Sequence, residues 1–232
     1  MTLLEQAARE NAEWCEAVSR SHGVRSRFTP DAWVAASRTP AMYPDAVTLR
    51  SSADREILDE LDTSPGCSVK DSFAALDLSH DGFDVRIEAR WIFRAPEPES
   101  PAESTTRDLH PPDGIVWSTL DAADLDEWSA LHASEAFRPS LLAEPGVVLL
   151  RADAAGALVA GAVLSHTGAV VGISNVAAVP GTADDALWHG VTDQASRRFP
   201  GLAMVGYESG ADLIAPLDAG FTELGDLRVW VR

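Results

Sequence analysis

Apolar and polar positions alternate most cleanly between Asp84 and Phe93. Val85, Ile87, Ala89, Trp91 and Phe93 fall on one side, and Asp84, Arg86, Glu88 and Arg90 on the other. A period of two predicts a half-buried strand. The chain opens on a different rhythm. Leu3, Leu4, Ala7, Ala8, Trp14, Cys15 and Val18 recur at helical spacing, which predicts a helix over residues 2–21 closed by His22-Gly23. Residues 28–43 are irregular, punctuated by Pro30 and Pro40 and anchored by Trp33. A short strand over 46–49 and short helices over 54–61 and 73–78 complete the first half.

Residues 95–112, APEPESPAESTTRDLHPP, have no apolar face and read as an exposed linker between units at 1–94 and 113–232. The second unit begins with a strand over 115–120 and helices over 121–133 and 135–143. A strand pair over 147–152 and 158–165 turns at Asp153-Ala154-Ala155-Gly156. A strand over 170–179 stops at Pro180-Gly181, and a helix over 183–199 stops at Pro200-Gly201. A strand over 202–207 and a short helix over 212–219 follow, with Gly220 at its C′ position.

This order, with Ala178-Val179-Pro180 at one end and Gly220-Phe221 at the other, resembles the GCN5-related N-acetyltransferases. The resemblance implies an α/β fold with a mixed sheet flanked by helices. It also implies acyl transfer from acetyl-CoA to a small amine. It assigns cofactor contacts to Val176, Ala178, Gly181, Thr182, Ala183, Ala186, Trp188 and Ser209. Four departures stand out. The family's Arg or Gln in the phosphate loop is Ala183, a small loop position is Trp188, an Asn is Ser209, and the tyrosine that protonates the departing thiolate is Pro216. These departures predict weak acetyl-CoA binding or none, and keep open a second reading, a binding or assembly module without acyl transfer.

The local chemistry points the same way. Thr182-x-x-Asp185 matches a capping box, and Asp184 shares its turn, so the helix carries its own anions where a pyrophosphate would sit. At about 5 Å and an effective dielectric near 20, each pair of unit charges repels by roughly 3 kcal/mol. Glu208, ending a strand, is the candidate general base. Tyr207 is the candidate proton donor, although alternation aims it away from Glu208. Asn175 interrupts an apolar strand, either to hydrogen-bond in the core or to mark where strands part. Lys70, the only lysine, is expected to form an ion pair or helix-end contact, or to face a cleft with Glu208 and read a zwitterion. Cys67 reads as a buried thiol.

The first half also carries a weak echo of the second. Gly82-Phe83 recurs as Gly220-Phe221 at an offset of 138 residues (221 minus 83), with Trp91 and Trp230 one position out of step. At that offset Lys70 falls opposite Glu208. The first half therefore reads as a partial, diverged copy.

Composition narrows the partners. The 232 residues carry 36 acidic and 18 basic side chains, a formal charge of −18. That excludes a basic footprint for nucleic acid or anionic membrane and favours a cationic small molecule, or simply a solvating surface. Abundant alanine and a single lysine suggest bacterial coding bias. Two separated cysteines predict reduced thiols in a cytoplasm. His166 and His189 have no second ligand at metal spacing, so no metal is expected. The opening residues lack the basic-then-apolar pattern of a leader, so none is expected, and no apolar run reaches membrane length.

Overall fold

The computed structural model describes residues 1–96 and 114–232; apart from Ala95 and Pro96, the expected linker lies outside the described residues. Eleven strands make one mixed sheet: β1 (Ser26–Phe28), β2 (Ala32–Ala35), β3 (Ala46–Thr48), β4 (Ser68–Asp71), β5 (Asp84–Arg94), β6 (Ile115–Thr119), β7 (Val147–Ala154), β8 (Ala157–His166), β9 (Val170–Ala178), β10 (Ala203–Glu208) and β11 (Thr222–Val231). Their order is β1-β2-β3-β4-β11-β5-β10-β9-β8-β7-β6. The last strand of the first half, β5, thus lies between β10 and β11, and β11 lies between β4 and β5. Each half completes the other's sheet.

The ladder between β5 and β11 is symmetric about the pair Ala89–Leu227, 138 residues apart (227 minus 89). Moving by 138 turns Thr222–Phe93 into Asp84–Val231, Glu223–Ile92 into Val85–Trp230, and Asp226–Arg90 into Glu88–Arg228. Both register shifts obey the same operation, one passing over Leu224 and the other over Arg86. On the flanking strands Lys70 pairs with Val229 as Tyr207 pairs with Trp91, and Asp71 with Arg228 as Glu208 with Arg90. Lys70 therefore matches Tyr207, not Glu208.

Helices cover both faces. On one, α1 (Leu3–Ser21) and α2 (Leu125–Leu131) bury Trp14, Val18 and Trp128 against Trp33, Val47, Leu149 and Val163. On the other, α3 (Asp184–Arg198) buries Leu187, Trp188, Val191 and Ala195 on Leu150, Leu164 and Val171, with Phe221 beyond α4 (Ile214–Asp218). α1 starts in a complete capping box, with the Thr2 hydroxyl accepting from the Glu5 N–H and the Glu5 carboxylate from the Thr2 N–H.

Several expected elements differ. Residues 73–78 form no helix: the Asp71 carboxylate accepts from the N–H of Phe73 and of Leu76 at 3.3 and 2.8 Å, and Ala74 adopts φ 50°. That side chain offers the backbone an alternative to helical bonds. The helices expected over 54–61 and 135–143 are 3₁₀ turns at Arg55–Glu60 and Pro139–Ala143. Along β5, Ala89 and Trp91 are buried, but Ile87 and Val85, on either side of the bulge at Arg86, are exposed by more than a third.

Candidate functional site

The parallel pair β9–β10 holds together only at Ala203–Val170, Met204–Val171 and Val205–Gly172. Gly206 marks the last close approach, since a Cβ there would sit 2.9 Å from the Ile173 carbonyl oxygen. Past it the strands part. β9 also bulges against β8: Ser174 pairs with Val163 and Ala177 with Gly161, leaving Asn175 and Val176 opposite Ala162. Asn175 takes φ 50° at this bulge, and its carbonyl lies 2.8 Å from His132 Nε2. The equivalent pair in the first half, β3–β4, stays joined through Val47–Lys70, and the Ser72 N–H donates to the Thr48 hydroxyl just beyond. Among the described residues only the second half opens this way.

Two cavities meet at the opening. The larger, about 780 Å³, is bordered by the end of β9, Pro180-Gly181-Thr182, Trp188 on α3, and Ile214 and Ala215 on α4. The smaller, about 280 Å³, is bordered by Trp14, Tyr43, Lys70, His132, Asn175 and Tyr207. Val176 and Glu208 border both.

Backbone and charge act in opposite senses in the larger cavity. The N-cap of α3 is Ala183, with no side-chain cap; the Asp185 side chain of the expected box lies outside the described residues. The Thr182 hydroxyl donates to the Val159 carbonyl at 3.5 Å. The positive end of the α3 dipole lies at this wall and favours an anion there. Yet Asp184, Glu208, Asp212 and Asp218 all border this cavity, and among the described residues no lysine or arginine does. Its volume would admit the arm of an acyl-CoA, while its carboxylates oppose a phosphate.

Burial, with help from the Asp212 charge, pushes the Glu208 carboxyl up to about 7. A carboxyl balanced near neutrality suits a base that must take a proton and release it. In the smaller cavity Lys70 Nζ donates to Asn11 Oδ1 at 2.8 Å and to Tyr207 Oη at 3.0 Å, and lies 4.2 Å from the centre of the Tyr207 ring. Burial opposes its charge, but the interaction with Tyr207, including its hydrogen bond, leaves the ammonium favoured. The His132 ring meets two carbonyls, Trp128 and Asn175, each at 2.8 Å. Burial nevertheless pulls its pKa down, so the ring is neutral and donates to one of them.

Of the residues singled out from sequence, Val176, Ala178, Gly181, Thr182, Trp188 and Glu208 border the larger cavity. Ala183 and Ala186 lie at the start of α3 outside its wall, and Ser209 faces a separate depression beside Arg90 and Leu213. Tyr207 and Glu208 share the smaller cavity, contrary to the alternation argument, because that cavity wraps the end of β10 where the sheet has opened. Trp188 is 5% exposed and packs edge-on against Phe221, with ring centres 5.5 Å apart. Its bulk lies mostly in the core. Asn11, Trp14, Tyr43 and His132 were missed. The signal for Asn11 was available: it is a polar residue four positions after Ala7 and four before Cys15 on an apolar helix face.

Among the described residues no helix is long and apolar enough to cross a membrane, and no cluster of acidic, His or Cys side chains is placed to hold a metal. No family model and no curated protein matches the sequence. Solved structures do. A GCN5-related N-acetyltransferase from Kribbella flavida is 13% identical with TM-score 0.63, covering 100% of this chain and 96% of that one. A GNAT-family protein from Novosphingobium aromaticivorans is 15% identical with TM-score 0.58, covering 97% and 98%. A functionally unknown conserved protein from Staphylococcus epidermidis is 12% identical with TM-score 0.53, covering 77% and 75%. The chain has the α/β fold of GCN5-related N-acetyltransferases.

Proposed function

We propose that the protein transfers an acyl group from acetyl-CoA to a small amine, with Glu208 as general base. One observation carries this reading: Glu208 borders both the larger cavity, suited to an acyl-CoA arm, and the smaller one, suited to an acceptor. The acyl thioester supplies an activated carbonyl. Glu208 takes a proton from the acceptor's ammonium, freeing the nitrogen lone pair to form the amide bond as the C–S bond breaks. Val176, on the bulge, stands beside the junction. Pro216 offers no hydroxyl, so the second proton that the nitrogen sheds on becoming an amide reaches the departing sulfur through solvent. Asn175 and His132 hold the bulge in place and take no part in the chemistry.

A second reading rests on the four carboxylates around the larger cavity. On that reading the fold is a binding module that accepts an amine and no acyl-CoA. Thiol release measured with acetyl-CoA and a panel of small amines, beside calorimetry of acetyl-CoA alone, separates the two. Amine-dependent thiol release supports the transferase. Absence of acetyl-CoA binding at millimolar concentration overturns it and leaves the binding module. We also infer from the matched register about Ala89–Leu227 that the two halves are diverged copies of one unit. A soluble, cytoplasmic enzyme acting on small molecules is the setting that fits this reading.

A further inference from the structure

We propose that the amine bound in the smaller cavity also carries a carboxylate: the acceptor is an amino acid, its carboxylate held by Lys70 and its amine facing Glu208. The inference rests on the acyl-transfer reading only for what becomes of the amine; the binding it describes stands without it.

Lys70 is the sole lysine of a chain with net charge −18, and it is 4% exposed. An ammonium has three N–H donors. Two are engaged, by Asn11 Oδ1 and Tyr207 Oη, which leaves one. Neither partner is a carboxylate, and among the described residues no carboxylate lies within 4.0 Å of Nζ. A buried cation without a counter-ion is costly, so proteins pair such charges or expose them. Here the chain does neither, yet the side chain borders a cavity.

The neighbouring groups do not supply the missing charge. Glu10, one residue before Asn11 on α1, is buried and its carboxyl is pushed up to about 8, so at neutral pH it is a neutral acid. Burial likewise keeps the Cys15 thiol protonated, with its pKa pushed up to about 11. Glu208 is the remaining acidic group bordering the cavity. A site with a fixed cation and a carboxylate is complementary to a zwitterion and discriminates against a bare amine, which would leave Lys70 unpaired. At about 280 Å³ the cavity lies below the span of about 300–1,000 Å³ usual for drug-sized ligands. Trp14 and Tyr43 give it an apolar wall, so a single amino acid matches its size and character.

The test is thermal-shift and calorimetric titration of the full chain, without acetyl-CoA. The probes are the twenty L-amino acids, β-alanine and γ-aminobutyrate, each positive being repeated as its methyl ester and its decarboxylated amine. At least one amino acid should bind, with the ester and amine about tenfold or more weaker. In Lys70→Met the amino acid should lose that advantage while the ester is unaffected. Binding of no amino acid, or equal binding of acid, ester and amine, overturns the inference. The ester comparison uses the unaltered protein, so it decides the question even where Lys70→Met does not fold. Efficient acetylation of amines lacking a carboxylate would sink this inference and leave the transferase standing; amino-acid binding without acetyl-CoA binding would do the reverse.

Discussion

The Lys70 ammonium and the Tyr207 hydroxyl, 3.0 Å apart, come from equivalent register positions in the two halves of the sheet. The position that corresponds to Glu208 in the first half is Asp71, and its carboxylate is occupied by the backbone of Phe73 and Leu76. The first half has no such opening among the described residues and contributes a cation to that of the second. The candidate site belongs to both halves at once.

Glu208 acts only when ionised, so activity should rise with pH through about 7 and level off above it. Glu208→Gln should lower kcat by about 10²–10⁴-fold with a smaller change in KM for the amine. Asp212→Asn removes a repulsion that raises the Glu208 pKa, so the rising limb should move toward lower pH. An unmoved limb would take Glu208 out of the base's role.

Acetyl-CoA should bind more weakly than micromolar, and added salt should strengthen binding by screening the carboxylates from the phosphates. Asp184 is exposed, so its share is modest. Asp184→Ser should tighten binding by about three- to tenfold in low salt and by less in high salt. Calorimetry at two ionic strengths checks both; micromolar binding by the unaltered protein contradicts the charge argument.

Trp188→Ala should cost about 3–5 kcal/mol of stability through lost packing on Phe221 and the core. It should leave acetyl-CoA binding no tighter, because most of the ring lies behind the cavity wall. Chemical denaturation and titration of the same variant report the two effects.

Glu10 ties stability to pH. Its folded carboxyl ionises near 8, against an ordinary value of 4.5, because burial outweighs the help from Ser165. Between those values the unfolded chain has given up a proton that the folded chain retains. Stability from this group is therefore full below about 4.5, falls by up to roughly 1.4 kcal/mol per pH unit through 8, and is level above. Glu208 adds a decline of the same sign up to about 7. Glu10→Gln should flatten Glu10's share of the slope and raise the melting temperature at pH 8; an unchanged difference between pH 5 and pH 8 would refute the assignment.

The second half was legible because its strands obey simple periods and its breaks fall at Pro-Gly pairs, as at Pro180-Gly181 and Pro200-Gly201. Glu208 was visible as a polar strand end. What sequence could not supply was the pairing of distant strands. β1 and β2 are three and four residues long in a stretch broken by prolines, and only their partners make them strands. The grouping of Asn11, Lys70 and Tyr207 depends on contacts spanning 59 and 137 positions, which no local pattern encodes. The offset of 138 holds along β5 and β11 and slips by one on β4 and β10, enough to match Lys70 with the wrong residue.

The placement of β5 has a consequence for synthesis. A ribosome that has made β5 has produced a strand whose two neighbours, β10 and β11, begin more than about a hundred residues downstream. Until they emerge, β5 presents two open edges, with the apolar Trp91 and Ile92 bare on its two faces. The first half cannot complete itself co-translationally, and the long-range pairing makes slow folding and a need for chaperone protection the default for the nascent chain.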